Sequence, residues 1–457
     1  MLTELKKIHF VGIGGSGMSA IARVLLEQGY KVSGSDLSES EIVKKLKALG
    51  ADIYQGHKAE YVNGVDAIVV STAIAKNNPE VVAAIDNNIP VYHRSDIVAT
   101  LLNNEKGIAV AGAHGKTTTT SMLAVLLDVA GIDPTAIIGG EVDYLQSNAK
   151  LGNGEYLVAE ADESDGSFLK LLPEIAIVTN IENDHMDYYG SMENILATFK
   201  KFLGNLSTDT GLAVLCFDND YVKNLAPEIA VKYVSYALNS KADYMAKNIV
   251  ADGANTLFDV YKDDAKIGSI KLNVPGKHNV ANALAAIVVC LKLGIDFETM
   301  QKGFDYFNGA KRRFQTKGKT KGIWVVDDYA HHPTEIATTL VAARQTKPHR
   351  LICAFQPHRY SRTNLLFEEF VSCFKESDIL ILTEIYSAGE APITGVTGKL
   401  LAERIKEQIG QEVVYIEQRS DISQYLADIA KDGDLIMTMG AGDIFLTGEE
   451  LLESLNK

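Results

Sequence analysis

Short apolar runs, each bounded by glycine or polar residues, alternate with stretches of helical periodicity along almost the whole chain. Runs too short for helices, followed by amphipathic stretches long enough for them, predict β-α units with parallel strands. The opening pattern predicts strands over Lys7–Val11, Lys31–Ser35, Ala67–Ser71 and around Val91, with helices over Ser19–Gln28 and Glu39–Leu49. A second α/β stretch starts near residue 105, with a strand through Ile108–Ala111, a helix over Thr118–Ala130, and strands over Tyr156–Glu160, Ile175–Thr179 and Gly211–Phe217. From Lys232 to Leu272 the pattern shortens to alternating strands with turns at Asp252-Gly253 and Lys262-Asp263-Asp264, so a small β insertion is expected before a helix over Asn279–Leu293. The cluster Gly309–Phe314 and the polar run Gln315–Gly322 carry neither period and read as a linker. Beyond them, strands over Ile323–Val326, Arg350–Phe355, Ile379–Thr383, Val413–Ile416 and Leu435–Met439 recur about every 30 residues, which again predicts a parallel sheet. The fold class expected is α/β in three domains, residues 1–104, 105–313 and 314–457.

Length agrees with that division, since 457 residues exceed what one hydrophobic core holds. No apolar run approaches the length of a membrane span, and Met1 to Lys7 lead directly into the first strand without a secretory signal, so a cytoplasmic protein that does not engage a membrane is expected. A net charge of −15 repels a phosphate polymer, which excludes nucleic acid as a partner and leaves local basic spots to hold any phosphates. Cys216, Cys290, Cys353 and Cys373 lie among apolar residues and form no CxxC pair, so buried reduced thiols are expected in place of metal ligands or disulfides.

The chemistry concentrates at predicted strand ends. Gly112-Ala113-His114-Gly115-Lys116-Thr117-Thr118 joins a strand to a helix as a shortened phosphate loop. Its backbone N–H groups would cradle phosphate, Lys116 would neutralise it, and the Thr117 hydroxyl would ligate Mg²⁺. The full Walker pattern would need glycine at position 110, where valine stands. Gly12, Gly14 and Gly17 fit GxGxxG after the first strand, with Gly15 and Ser16 between them and Asp36 ending the next strand. That spacing reads as a pyrophosphate site, for NAD or for a UDP-linked substrate, and the phosphate loop for ATP favours the second. The acidic clusters Glu160–Asp165 and Asn183–Asp187 follow the next two strands, where carboxylates would hold Mg²⁺. Further along, Asn279 and Asn282 open a helix after Pro275-Gly276, where Asn279 has the chemistry of a cap. Asp327–Pro333 and Gln356–Arg362 each follow a strand. A helix starting at Pro357 would put Arg359 and Arg362 on one face, suited to a small carboxylate.

Taken together and in this order, the motifs closely resemble the Mur ligases, the ATP-dependent amide-forming enzymes of peptidoglycan precursor synthesis. The resemblance rests on GIGGSGMSAIA, GAHGKTTTT, EADESD, TNIENDHMD, PGKHNVANALAA, KRRF, DDYAHHPTE and FQPHRYSRT, and it spans essentially the whole chain. Within the family these words look like the branch that joins L-alanine to UDP-N-acetylmuramate, the nearest alternative being the branch that recycles a murein tripeptide. The resemblance implies a Rossmann-like domain for the UDP end, a central ATPase domain and a Rossmann-like C-terminal domain. It implies ATP and Mg²⁺, with Gly112 to Thr118 on the phosphates, Thr117, Glu160 and His185 on metal, and Lys116, Glu160, His185 and Arg313 as catalytic groups. Asn279 and Asn282 match adenine-side residues, Arg313 an arginine on the phosphates, and Asp328 a carboxylate on the ribose. Gly12, Gly14, Gly15, Ser16, Gly17 and Asp36 match the UDP-substrate site, and His331, His332, His358, Arg359 and Arg362 the region that receives L-alanine. A monomer or weak homodimer is expected. Two other classes stay open at this point: an NAD-dependent oxidoreductase, which would leave Lys116 and Thr117 idle, and a nucleotide-binding regulator without ligase activity.

Overall fold

The computed structural model describes residues 2–409 and 412–456 and is built on three sheets. The first has strands β1 (Lys7–Val11), β2 (Lys31–Asp36), β3 (Asp52–Gln55), β4 (Ala67–Val70) and β5 (Val91–His93) in the order β3-β2-β1-β4-β5, all parallel. The order reverses direction between β1 and β4, so the glycine-rich loop after β1 opens into the crevice where sheets of this kind bind ligands.

The second sheet holds β6 (Lys106–Ala111), β7 (Thr135–Val142), β8 (Ser147–Lys150), β9 (Tyr156–Glu160), β10 (Ile175–Val178), β11 (Leu212–Cys216), β12 (Lys232–Ala237), β13 (Tyr244–Asp252), β14 (Asn255–Lys262) and β15 (Ala265–Leu272). Its order is β15-β14-β13-β12-β11-β10-β6-β9-β7-β8. Parallel registers bring Val110 beside Glu160 and Ala111 beside Val178, so the loops after β6, β9 and β10 emerge side by side. Ile108 to Ala111 are fully buried, as a central parallel strand covered on both faces requires. The short hairpin strands expected between Lys232 and Leu272 are present as β13 to β15.

The third sheet holds β16 (Gln315–Thr320), β17 (Ile323–Asp328), β18 (Arg350–Phe355), β19 (Ile379–Leu382), β20 (Glu412–Tyr415) and β21 (Asp434–Met439) in the order β16-β17-β21-β18-β19-β20. The polar run read as a linker is the antiparallel edge strand β16, paired with β17 from Gln315 opposite Asp327 to Thr320 opposite Ile323. An edge strand has one face and one side in water, so it tolerates lysine, threonine and glycine and shows no apolar period.

By compactness the chain forms two units, Met1–Lys247 with Asp259–Ile270 and Ala281–Asn308 in one, and Asn248–Phe258 with Lys271–Val280 and Gly309–Lys457 in the other. Each has its own cores. Among the described residues no helix is long and apolar enough to cross a membrane. The four cysteines are buried and free, as their apolar neighbours in sequence predict.

Candidate active site

Three clusters of the expected residues take shape at strand C-termini. In the first, Gly12 N and Ile13 N both donate to Ser35 O, at 2.8 and 3.0 Å, which folds the glycine-rich loop back over β2. The loop opens the helix Ser16–Glu27, whose N-cap Gly15 has no side chain to use up the first amides. Asp36 Oδ2 accepts from Gly14 N at 2.8 Å, and a Cβ at Gly14 would lie 2.8 Å from the same oxygen. The expected Asp36 thus sits at the loop, holding its backbone. Gly17 leaves room for the Arg94 guanidinium, 3.2 Å from where its Cβ would be, and Arg94 pairs with Asp162 of the strand-end motif after β9.

The second cluster is the phosphate loop. Gly112 has φ +130° and Gly115 φ +85°, both in the region that favours glycine, and their missing side chains are replaced by neighbours. A Cβ would meet Thr179 Oγ1 at 2.2 Å from Gly112, and Asn282 Oδ1 at 2.5 Å from Gly115. The helix Lys116–Val129 starts directly after Gly115, with Thr117 buried and Thr118 half-buried in its first turn. Ala113 N donates to Asn180 O, and His114 is clamped by Asn180, whose Oδ1 accepts from His114 N and whose Nδ2 donates to His114 O, both at 2.9 Å. The His114 ring lies 3.2 Å from Glu182 Oε2.

Lys116 Nζ donates to Gly112 O, Ala113 O and Glu163 Oε1 at 2.5, 3.1 and 2.9 Å. Burial alone would favour loss of its proton, but the carboxylates of Glu163, Asp162 and Glu160 more than offset this and hold its proton affinity above the ordinary lysine value. Burial pushes Glu163 up, against the pull of Lys116. The direct hydrogen bond decides the pair's state as ammonium with carboxylate. Glu160 Oε1 accepts from Gly139 N at 2.6 Å, and His185, held at φ +55°, places Nε2 3.8 Å from Glu163 Oε1. The structure therefore brings Lys116 and His185 to Glu163, with Glu160 close enough to act on the Lys116 charge; Glu163 was expected only as one member of the Glu160–Asp165 cluster, with no partner of its own. Asn180 and Thr179 went unread for the same reason: their function here is in hydrogen bonds to the loop, which no spacing rule announces.

The third cluster lies at the ends of β17 and β18. Asp328 is buried and accepts from Phe314 N at 2.7 Å and Ala330 N at 2.8 Å. Burial lifts its pKa to about 6, opposed by the neighbouring Arg313. Arg313 lies over the Tyr329 ring and 3.8 Å from Glu335. Its neighbour Arg312 binds buried Asp327 at 3.0 Å and the carbonyls of Gly440 and Gly442, anchoring the KRRF segment. His332 caps the helix Pro333–Gln345 in a reciprocal arrangement with Glu335. His331 Nδ1 lies 3.0 Å from Tyr329 O, an acceptor only, so Nδ1 carries the proton. His358 Nδ1 faces Arg362 Nη1, a donor only, at 3.3 Å, so the His358 proton is on Nε2. Burial lowers both imidazoles, to about 4 for His331 and about 3 for His358, and both are neutral at neutral pH.

Two local expectations change. The helix after β18 is Tyr360–Leu365 and does not begin at Pro357. Arg359 precedes it at φ +71°, its N–H donating to Tyr386 O, so Arg359 and Arg362 do not share a helical face by three-residue spacing. The bridge between His358 and Tyr386 holds this stretch extended, a tertiary pairing that overrides the proline signal. Likewise the helix Lys277–Lys292 begins before Asn279, whose side chain donates to Pro275 O at 2.7 Å and does not cap.

Along the chain a glycine-rich loop comes first, a phosphate loop second, and a C-terminal sheet with a basic cluster third. Residues 7–106 match the Mur ligase family, catalytic domain, residues 110–290 the Mur ligase middle domain, and residues 312–442 the Mur ligase, glutamate ligase domain; the chain belongs to the Mur ligase family. It is 50% identical over 457 residues to the UDP-N-acetylmuramate–L-alanine ligase of Geotalea daltonii and 51% identical over 457 residues to that of Trichlorobacter lovleyi, covering 100% of each chain in both cases. The crystal structure of the UDP-N-acetylmuramate-alanine ligase of Thermotoga maritima matches with a TM-score of 0.86 at 31% identity, over 98% of this chain and 99% of that one. A murein peptide ligase from Psychrobacter arcticus matches at 0.74 and 27%, over 99% of both chains. A MurF ligase from Thermotoga maritima solved in complex with ADP shares the fold, with a TM-score of 0.62 at 17% identity, over 93% of this chain and 94% of that one.

Proposed function

We propose that this chain is an ATP-dependent ligase that joins L-alanine to UDP-N-acetylmuramate, giving UDP-N-acetylmuramoyl-L-alanine, ADP and phosphate in peptidoglycan precursor synthesis. The observation that carries the reading is the Lys116 centre in a chain about half identical, end to end, to ligases of that name. The tripeptide-recycling alternative is not favoured, since the murein peptide ligase stands at 27% identity. The glycine loop at Gly12 to Gly17 takes the UDP diphosphate, with domains placed at residues 1–104, 105–313 and 314–457. The cytoplasm is the compartment we assign.

In this mechanism the lactyl carboxylate of the sugar attacks the γ-phosphorus of ATP, the bond from that phosphorus to the β–γ bridging oxygen breaks, and an acyl phosphate forms as ADP leaves. Lys116, kept charged by its carboxylates, neutralises the transferring group, and the start of the helix Lys116–Val129, directly after the Gly115 turn, positions it. The donor set Thr117, Glu160 and His185, with a buried Glu163 oxygen that has no hydrogen bond among the described residues, fits a divalent cation. When bound, Mg²⁺ supplies charge neutralisation on the phosphates. Arg359 and Arg362 hold the L-alanine carboxylate, and the neutral imidazoles of His331 and His358 add no charge to repel its amine. The neutral amine attacks the acyl carbon, and the tetrahedral intermediate collapses to the amide with loss of phosphate.

ADP release measured with UDP-N-acetylmuramate, with and without L-alanine, tests the reading. Sustained release requires both; release that ignores L-alanine, or nicotinamide reduction in its place, sinks it. Lys116→Ala should abolish turnover while calorimetry finds UDP-N-acetylmuramate affinity near that of the parent.

A further inference from the structure

Glu163 differs from the other acidic groups of its motif in its surroundings. Its side chain is 4% exposed, Oε1 is taken by Lys116, and Oε2 is buried without a hydrogen bond among the described residues. The residue is pinned at the main chain, where Tyr189 Oη and Gly166 N both donate to its carbonyl. A buried carboxylate with one oxygen unused carries a desolvation cost that a further partner would remove.

Charge balance points to that partner. Three acceptors, Gly112 O, Ala113 O and Glu163 Oε1, take the three donors of Lys116, so the ammonium cannot reach a phosphate without releasing one of them. Glu163 is the anionic competitor among the three. If Lys116 turned to a phosphate and nothing replaced it, a buried carboxylate would face an anionic phosphate in a site shielded from water, with Asp162 and Glu160 close by. Another positive charge has to enter as the first one leaves.

We propose that Glu163 exchanges partners: it holds Lys116 while the loop is empty, and its free oxygen becomes a ligand of the divalent cation that arrives with the nucleotide. This rests on the reading that the Gly112–Thr118 loop binds ATP. The exchange makes nucleotide binding depend on metal through one side chain, which it singles out from the Glu160–Asp165 cluster.

The test is calorimetry of the full chain and of Glu163→Gln with the β,γ-methylene analogue of ATP, with Mg²⁺ and with a chelator, together with Mn²⁺ binding to the ADP complex by electron paramagnetic resonance. Without metal the variant should bind the analogue at least as tightly as the parent, because Lys116 leaves no anion behind. Added Mg²⁺ should then strengthen binding to the parent at least about tenfold more than to the variant, and Mn²⁺ affinity should fall by a similar factor. Equal metal enhancement in both proteins overturns the proposal. So does uptake of one proton per analogue by the parent and none by the variant, read from binding heats in buffers of different ionisation enthalpy, since protonation would then supply the charge. If Glu163→Gln does not fold, Glu163→Asp, which keeps the charge but not the reach, carries the same comparison and should show a smaller metal enhancement than the parent. A parent chain that binds no analogue under any condition removes the ATP reading itself.

Discussion

At the scale of single residues, Lys116 could be found from its loop, whereas its energetics come from Glu163, which lies 47 positions away in sequence. Removing one member of a buried pair leaves the other charge stranded, so Lys116→Met should destabilise the empty protein by about 3 kcal/mol, the low end for a pair whose lysine is partly exposed. Adding Glu163→Gln should recover at least half of that loss, measured by chemical denaturation; simple additivity of the two changes would refute the coupling. Asp328 makes a pH prediction of definite sign. Its pKa rises on folding from 3.8 to about 6, so its contribution to stability is complete below the unfolded value and is lost as pH rises through about 6. The full loss corresponds to about 3 kcal/mol. Denaturation of the parent and of Asp328→Asn at about pH 4 and about pH 7.5 should therefore show the parent losing ground to the variant on the alkaline side, by up to that amount. A pH-independent difference would mean that the carboxyl titrates normally.

At the scale of elements, the apolar runs of β1, β9 and β18 were legible, and the polar edge strand β16 was not. β1, β9 and β18 run from the first to the last residue expected, because a parallel strand covered on both faces must be apolar throughout. β16 has no such constraint, and its Gln-Thr-Lys-Gly-Lys-Thr composition resembles a linker. The two descriptions differ in solution. As a paired strand, Gln315–Thr320 should keep its ladder amides protected in hydrogen exchange, and trypsin should cleave after Lys317 or Lys319 no faster than it cleaves the unfolded fraction of the chain. Rapid native-state cutting there would restore the linker. The helix expected at Pro357 failed for a related reason: proline fixes one dihedral, while the bridge from His358 to Tyr386 and the amide bond of Arg359 are formed by residues far along the chain.

At the scale of the whole molecule, each compact unit holds two of the four cysteines, Cys216 and Cys290 in one and Cys353 and Cys373 in the other. Burial drives every one of these thiols upward, Cys216 to about 11 and the others further, so thiolate is scarce as well as inaccessible. Native protein should react negligibly with an aromatic disulfide reagent, and denaturant should release all four thiols. If the units unfold separately, the release will come in two steps of two. Fast labelling of any cysteine in native protein would contradict the packing described.

The sequence alone determined the α/β class, the places where strands hand over to loops, and the residue types those loops carry, because hydrophobic period and glycine turns are local physics. It also determined the family, because motif words kept their order along the whole chain. Only the tertiary structure decided which loops stand together. Register puts β6 between β9 and β10, and that placement makes Glu163 the partner of Lys116 and Asn180 the clamp on His114, while the helix Lys277–Lys292 brings in Asn282, for which Gly115 must leave room. Those relations depend on distances between residues remote in sequence, and burial then sets their charge states; neither is written in local pattern.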